Sequence, residues 1–462
     1  MPIPSPLRTT LRGIFSDACT TDPAECLAYG YDNSRRQGQA DAVVFPTAHE
    51  QVLALVRACA DARVPLIARG RGTNTTGATT PVAGGVVVSF ERMSRILEIR
   101  SEDRLAVVEP GVLNGELQAA LAARGFFWAP DPTSAPYCTV GGNLACNAAG
   151  PRAVKYGSCR ENTLGLRAVS GAGVEFRSGV NTTKGAVGYD LTRLLIGAEG
   201  TLALITEATL KLTPLSAARR TLAATYGDVV NAAAAVARIM AQPDLPCALE
   251  FLDDAALRLA RAHGGDAVPD AGALLIIEVD GAEADLARAA QAIAQAARGD
   301  GLIDLRVAAN ATEVDALWLA RKALSPALRA LSPHKINEDV VVPVSRLPRL
   351  IAALREISRQ HGVPIVNFGH AGNGNIHVNL LPRDAAEVAR ADAALDAVFG
   401  CVIELGGTLS GEHGIGLAKR DFLKLALDPG ALDLMRRIKA QFDPHGILNP
   451  GKLLPPADSE QP

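Results

Sequence analysis

Phe368-Gly-His-Ala-Gly-Asn-Gly-Asn-Ile-His-Val-Asn379 is the stretch from which this chain is best read. Val363–Phe368 carries the apolar run of a strand and Asn375–Leu380 that of a second, with Gly-Asn-Gly between them as a turn. In the second strand Ile376, Val378 and Leu380 alternate with His377 and Asn379. A period of two therefore sets His377 and Asn379 on one face and the aliphatic residues on the other. His370 ends the first strand and is expected across the turn from His377. A second piece, Ser410-Gly-Glu-His-Gly414, adds Glu412 and His413. Two imidazoles facing each other beside a carboxylate suit a divalent metal with an open coordination position. A plain hairpin with two hydrogen-bonded histidines would show the same spacing.

The rest of the chain sets limits. Its 462 residues are enough for two or three domains, and 48% apolar with 21% charged residues is an ordinary globular balance. A net charge of −3, with no basic cluster interleaved by aromatics, disfavours nucleic acid as a partner. The eight cysteines form no Cys-x-x-Cys pair, which argues against an iron–sulfur cluster or zinc ribbon and suits a reducing compartment. Met-Pro-Ile-Pro-Ser-Pro lacks the basic and apolar regions of a secretory signal. No apolar run approaches the roughly 20 residues of a spanning helix. A cytoplasmic location is expected, with peripheral contact to a membrane left open.

Residues 1–40 read as a loosely patterned lead-in. Asp41–Pro46 reads as a strand, and Thr47–Ala62 as a helix with Thr47 and Glu50 as a capping box. Val64–Ala68 is a strand that runs into Arg69-Gly-Arg-Gly-Thr-Asn-Thr-Thr-Gly77. That loop is rich in backbone N–H groups and hydroxyls and could cradle a phosphate. It is not a Rossmann fingerprint, because Thr75 stands where the third Gly belongs and a strand, Gly84–Phe90, follows. It is not a Walker loop either, because Ala78-Thr79 follow Gly77. Trp128–Tyr156 is a long irregular stretch of small residues, and such stretches usually carry function. Beyond about Pro214 the texture changes. Helices are predicted at Asp228–Met240, Asp253–His263, Glu283–Arg298 and Ala311–Leu331, alternating with strands. This pattern predicts an α+β layer with helices on one face of an antiparallel sheet.

Several motifs occur in order: Thr139-Val-Gly-Gly-Asn143 with Asn147-Ala-Ala-Gly150, Gly197-Ala-Glu-Gly-Thr201, the histidine stretch above, Gly411-Glu-His-Gly414, and Asp443-Pro-His-Gly-Ile-Leu-Asn-Pro-Gly-Lys452. On this ordered set the chain resembles the vanillyl-alcohol-oxidase type of flavoprotein. More narrowly, it is similar to the FAD-dependent D-2-hydroxyacid dehydrogenases: D-lactate dehydrogenase, D-2-hydroxyglutarate dehydrogenase and the FAD subunit of glycolate oxidase. The likeness runs from about residue 40 to Pro455. It implies an α+β protein with a two-part FAD-binding domain at 1–215, a substrate or cap domain with an antiparallel sheet at 216–440, and a segment at 441–462 that returns to the FAD domain.

The resemblance also implies roles for residues. Arg69, Gly70, Arg71, Gly72, Thr73, Asn74, Thr75 and Gly77 would wrap the FAD pyrophosphate. Pro132, Thr133, Gly141, Gly142, Asn143, Asn147 and Gly150 would line the flavin. Glu199, Gly200 and Ile205 would lie near the adenine and ribose end, and Asn449 would approach the isoalloxazine. Relatives that hold flavin covalently use His or Cys, and neither stands in Arg69–Gly77. Non-covalent FAD is therefore expected, although Cys138 and Cys146 are near enough in sequence to keep the other mode open. His370, His377 and Glu412 would hold a divalent metal, zinc by preference for nitrogen-rich ligation and manganese as the alternative.

His413, beside the ligand Glu412, would take the hydroxyl proton of a 2-hydroxy acid, and hydride would pass to flavin N5. Trp318-Leu-Ala-Arg321 matches the family's Trp-x-x-Arg, so Arg321 would grip the substrate carboxylate, with Ser325 one turn on. Asn379 would contact substrate. Hydroxyglutarate enzymes place a Lys two residues before the Asp that matches Asp339. Here that position is Asn337 and the nearest Lys is Lys335. This departure favours a short substrate such as D-lactate, and D-2-hydroxyglutarate or glycolate remain alternatives. With no haem or cluster motif, electrons would leave to an external acceptor: an electron-transfer flavoprotein, a quinone, a cytochrome or oxygen. A homodimer is compatible with the sequence. A non-catalytic flavin-binding subunit is the reading from a different class.

Overall fold

A computed structural model describes residues 3–264 and 268–456. The chain divides into two compact units, one of residues 1–149, 157–215 and 412–462, the other of 150–156 and 216–411. The chain thus re-enters the first unit at Glu412, earlier than the expected return at residue 441.

The first unit contains two sheets. In one, Ala42–Val44 and Leu66–Arg69 both run parallel to Val86–Ser89, and Cys19–Thr20 closes an edge. The parallel arrangement needs a crossover, which the helix His49–Ala62 supplies. Its Val52, Leu55, Val56 and Cys59 are buried against Leu7, Leu11 and Phe15 of the helix Ser5–Phe15. The lead-in is therefore structured. Its apolar residues recur at positions 7, 11 and 15, a helical spacing that proline-rich flanks obscured. The expected capping box does not form. Ala48 is the N-cap, and Gln51 instead receives the backbone N–H of Thr47 at 2.8 Å. The second sheet is antiparallel, ordered Ile96–Arg100, Leu105–Val108, Ala203–Lys211, Thr163–Ser170, Glu175–Gly179. Part of the stretch read as irregular is helical, at Val140–Cys146 and Ala153–Tyr156. A further short helix spans Leu191–Leu195. The C-terminal Ile447–Asn449 is stitched beside Leu66, which donates to Ile447 O at 2.7 Å and accepts from Asn449 N at 2.8 Å.

The second unit is built on seven antiparallel strands: β1 (Ala218–Tyr226), β2 (Ala248–Asp253), β3 (Ala273–Gly281), β4 (Leu302–Val307), β5 (Ile336–Val341), β6 (Ile365–His370) and β7 (Asn375–Leu380). Their order is β4-β1-β3-β2-β6-β7-β5. Every residue of Ala248–Asp253 and Ala273–Val279 is buried, which a sheet covered on one face cannot give. Helices therefore cover both faces, contrary to the one-sided layer expected. Asp254–Gly264 and Ala311–Leu331 share a core with Leu252, Leu274, Ile276 and Phe368. Val229–Met240, Glu283–Ala297 and Leu347–His361 form the other layer. The turn between β6 and β7 is a short 3₁₀ segment, Ala371–Asn373, closed by Gly374 at φ 73°. A side chain at Gly374 would meet the Val342 carbonyl, so glycine is required there.

Candidate functional site

Strand register brings the charged residues of the second unit onto one face. Glu250 pairs with His370, Phe368 with His377, and His377 also with Asp339. Directly paired residues point the same way, so Glu250, His370, His377, Asn379 and Asp339 share a face. The rings of His370 and His377 lie 5.2 Å apart, edge to face. Glu250, fully buried, accepts from His370 Nδ1 at 2.5 Å and from Arg321 Nε at 2.7 Å. Burial works against its charge, yet His370 and Arg321 outweigh that and hold its carboxyl well below the usual range. With Nδ1 given to Glu250, the lone pair His370 can offer is on Nε2. Asp339 accepts from Ser410 Oγ and Gly411 N, each at 2.9 Å, and so fixes the backbone immediately before Glu412.

Glu412 is one peptide bond from Gly411. His370, His377 and Glu412 each offer a ligand atom, and these atoms lie within 4.8 Å of one another. Two nitrogens and a carboxylate oxygen this close, one imidazole oriented by a second carboxylate, fit a divalent metal. Arg321 is buried, with its guanidinium 4.5 Å above the Phe368 ring. Its Nε is committed to Glu250, so any carboxylate it took would meet its two Nη groups. Ser325, although one turn along the same helix, is exposed. Lys335 is half-buried just before β5. Asn379 donates through Nδ2 to Val366 O and His377 O, both at 3.1 Å, and its buried Oδ1 has no hydrogen-bond partner among the described residues.

In the first unit, Gly72, Thr73, Asn74 and Thr75 are half-buried, and Gly77 is buried. Among the described residues, the N–H groups of Arg71 through Thr75 find no backbone or side-chain acceptor. The buried Thr75 Oγ1 is likewise unsatisfied. Consecutive unmet donors of this kind fit the pyrophosphate of FAD. Arg69 turns inward instead, donating to Tyr31 O at 2.7 Å. Asn143 and Asn147 are spent on the protein: Asn143 Oδ1 accepts from Asn114, and Asn147 Oδ1 accepts from Ser158 and Arg160. Gly141 and Gly142 begin the helix Val140–Cys146, and Pro132 and Thr133 lie in the loop before it. Gly150 opens the segment that clusters with the second unit. Gly200 is half-buried in the turn before the strand Ala203–Lys211, and Ile205 is half-buried within that strand.

Asn449 is a brace. Its Nδ2 donates to Ala78 O at 2.9 Å and Glu199 O at 2.7 Å, and its Oδ1 accepts from Lys452 at 2.5 Å. Burial lowers Lys452 to about 8, partly offset by Asp32 and Glu199. Glu199 is buried, and burial pushes its carboxyl up to about 7, although the amides of Ile415 and Gly416 favour its charged form. His413 is half-buried on the same returning segment.

Glu250 and the bracing role of Asp339 escaped the sequence reading. A signal for Glu250 existed, since a lone carboxylate sits inside the apolar run Ala248-Leu-Glu-Phe-Leu252. Such a residue is usually paired when buried.

Residues 40–179 match the family described as "FAD binding domain" and residues 215–453 the family described as "FAD linked oxidases, C-terminal domain". The glycolate oxidase subunit GlcD of Bacillus subtilis (strain 168) is 38% identical over 92% of this chain and 92% of its own length. D-2-hydroxyglutarate dehydrogenase of Stutzerimonas stutzeri (strain A1501) is 33% identical over 94% and 95%, and D-lactate dehydrogenase of Anaerostipes hadrus 32% identical over 89% and 89%. The solved p-cresol methylhydroxylase with substrate bound shares the fold, with a TM-score of 0.79 at 15% identity over 97% of this chain and 96% of that one. No helix among the described residues is long and apolar enough to cross a membrane. The chain belongs to the FAD-linked oxidases, and it is an FAD-linked oxidoreductase of the hydroxyacid dehydrogenase kind.

Proposed function

We propose that the enzyme oxidises a short D-2-hydroxy acid, D-lactate or a close analogue, to the 2-keto acid. FAD, when bound, would supply the hydride acceptor, and a divalent metal, zinc or manganese, would supply a Lewis acid for the substrate hydroxyl. His370, His377 and Glu412 would hold that metal, and Glu250 keeps His370 turned with Nε2 available. The Nη groups of Arg321 receive the substrate carboxylate, fixing which face of the 2-carbon is presented. His413 takes the hydroxyl proton on a ring nitrogen as the carbon–hydrogen bond breaks. Asn379, with a buried Oδ1 and on the same face as His377, borders the substrate. Ser325, being exposed, is left out of this group. Lys335 has the same parity as Asn337 and Asp339, so it borders the site from the strand's beginning.

The observation that carries the reading is the buried Arg321–Glu250–His370 chain, which joins a carboxylate-binding cation to an oriented imidazole. A neutral Asn337 paired across from Asn379 is the reason for a short substrate, since a second carboxylate would need a cation there. Electrons leave to an external acceptor such as an electron-transfer flavoprotein, a quinone or a cytochrome, and the enzyme works in the cytoplasm, alone or as a homodimer. A steady-state panel with an artificial acceptor tests the substrate: D-lactate, L-lactate, glycolate and D-2-hydroxyglutarate, with metal content measured on the same samples. D-lactate should give the highest kcat/KM. A preference for D-2-hydroxyglutarate would overturn the short-substrate assignment while leaving the reaction class intact.

A further inference from the structure

The segment that carries His413 is gripped from the flavin-binding unit. Asn74 Nδ2 donates to His413 O at 2.9 Å. Ile415 N and Gly416 N donate to the Glu199 carboxylate at 2.6 and 2.8 Å. Leu417 N and Ala418 N both donate to Thr76 O, at 2.8 and 3.0 Å. Asn74 and Thr76 belong to the loop whose amides suit the FAD pyrophosphate, and Asn74 Oδ1 in turn accepts from Thr76 N at 2.8 Å. Glu199 is itself locked. Its N–H donates to Ala145 O at 2.9 Å, and its carbonyl accepts from Asn449 at 2.7 Å. It holds a left-handed backbone, φ 51°, which a non-glycine residue adopts at a cost and keeps only where its surroundings fix it. The approach is close: a Cβ at Gly414, φ 84°, would lie 2.6 Å from Glu199 Oε1.

We infer that Asn74, Thr76 and Glu199 are positioning residues that hold the backbone at His413 and just beyond it against the flavin loop, so that order in that loop sets the place of the base. Glu199 thus faces the His413 segment. The inference rests on His413 being the base. A bidentate carboxylate with two adjacent backbone donors is a specific clamp: glutamine can accept only one of them, and its NH₂ then opposes the other N–H.

The test uses the full-length holoenzyme and three variants, Glu199→Gln, Gly414→Ala and Asn74→Asp, which disturb the clamp from three directions. Hydrogen exchange at the amides of Ile415–Ala418 reads the clamp without reference to activity. It should quicken in Glu199→Gln and Gly414→Ala, and in the parent it should slow when FAD is added to the apoprotein. Anaerobic flavin reduction by D-lactate should fall between about tenfold and 10²-fold at saturation, as expected for a misplaced catalytic group. The half-saturating concentration should stay within about threefold, because the substrate's own contacts are untouched. FAD content should be kept in Glu199→Gln and Gly414→Ala. Exchange that quickens while flavin reduction stays parental in all three variants would overturn the positioning role. His413→Ala in parallel separates the two claims: parental reduction in that variant overturns the base assignment and this inference with it. Slow reduction there with parental rates in the clamp variants overturns the inference alone.

Discussion

Replacing Glu250 by glutamine removes one charge from the centre of the second unit and changes almost nothing in volume. Glu250 is fully buried, with Arg321 Nε at 2.7 Å and His370 Nδ1 at 2.5 Å on its two oxygens. Glutamine has one acceptor where glutamate has two, so one donor must lose. If its oxygen faces Arg321, the NH₂ faces His370 Nδ1. The imidazole then shifts its proton to Nε2 and withdraws the lone pair that a metal would use. If its oxygen faces His370, a buried guanidinium faces an NH₂ group. Leaving one partner of a buried pair uncompensated costs about 3–5 kcal/mol. One charge-assisted hydrogen bond alone is worth about 1.5–3 kcal/mol. The two ranges meet at about 3 kcal/mol, which is the expected loss in urea-induced unfolding of the metal-free protein. Chelator competition should show metal affinity weakened by about 10- to 100-fold, the usual effect of removing a ligand's orienting partner. Adding Arg321→Met to Glu250→Gln should return part of the stability, because the stranded cation is gone, but none of the metal affinity. Unchanged unfolding and unchanged metal affinity in Glu250→Gln would refute the reasoning.

Further outcomes are expected. Asp339→Ala should keep FAD but weaken metal binding by about 10-fold or more, since Ser410 and Gly411 lose the carboxylate that aims Glu412; metal analysis after dialysis checks this. Dialysis against a chelator should abolish flavin reduction by substrate while the flavin stays bound, and added zinc or manganese should restore it. Burial raises Asp253 from 3.8 to about 6, against the pull of its Ala256 and Asn367 donors. The folded state therefore holds that proton more tightly than the unfolded chain, and the stability this contributes is full at low pH and lost as pH rises through about 6. The Tm of the parent minus that of Asp253→Asn should accordingly fall between about pH 4 and pH 6 and then level off; a value that rises over this range contradicts it.

Much of the site could be read in the chain because it is built from strands. Alternation in Ile376–Leu380 was enough to put His377 and Asn379 on one face, and register then added His370 through Phe368. What stayed hidden came from distant segments. Glu250 reaches His370 across 120 positions and Glu199 reaches Ile415 across 216, and no local pattern encodes such pairs. The capping box failed because a glutamine one position further on competed for the same backbone donor, and short-range signals of this strength are settled by packing. The helices on both faces of the sheet were legible in principle: Leu274-Leu-Ile-Ile277 is an unbroken apolar run, the pattern of a strand buried on two sides.

The central claim is that a D-2-hydroxy acid delivers its hydride to this protein's flavin with His413 removing the proton. Anaerobic mixing of the metal-loaded holoenzyme with D-lactate tests it most directly, followed as bleaching of the flavin absorbance with no other acceptor present. Rapid bleaching in the parent, none with L-lactate, and none in a His413→Ala variant that retains FAD and metal is the predicted result. A flavin that stays oxidised in the parent with every 2-hydroxy acid tried, or one that bleaches equally fast without His413, would contradict it.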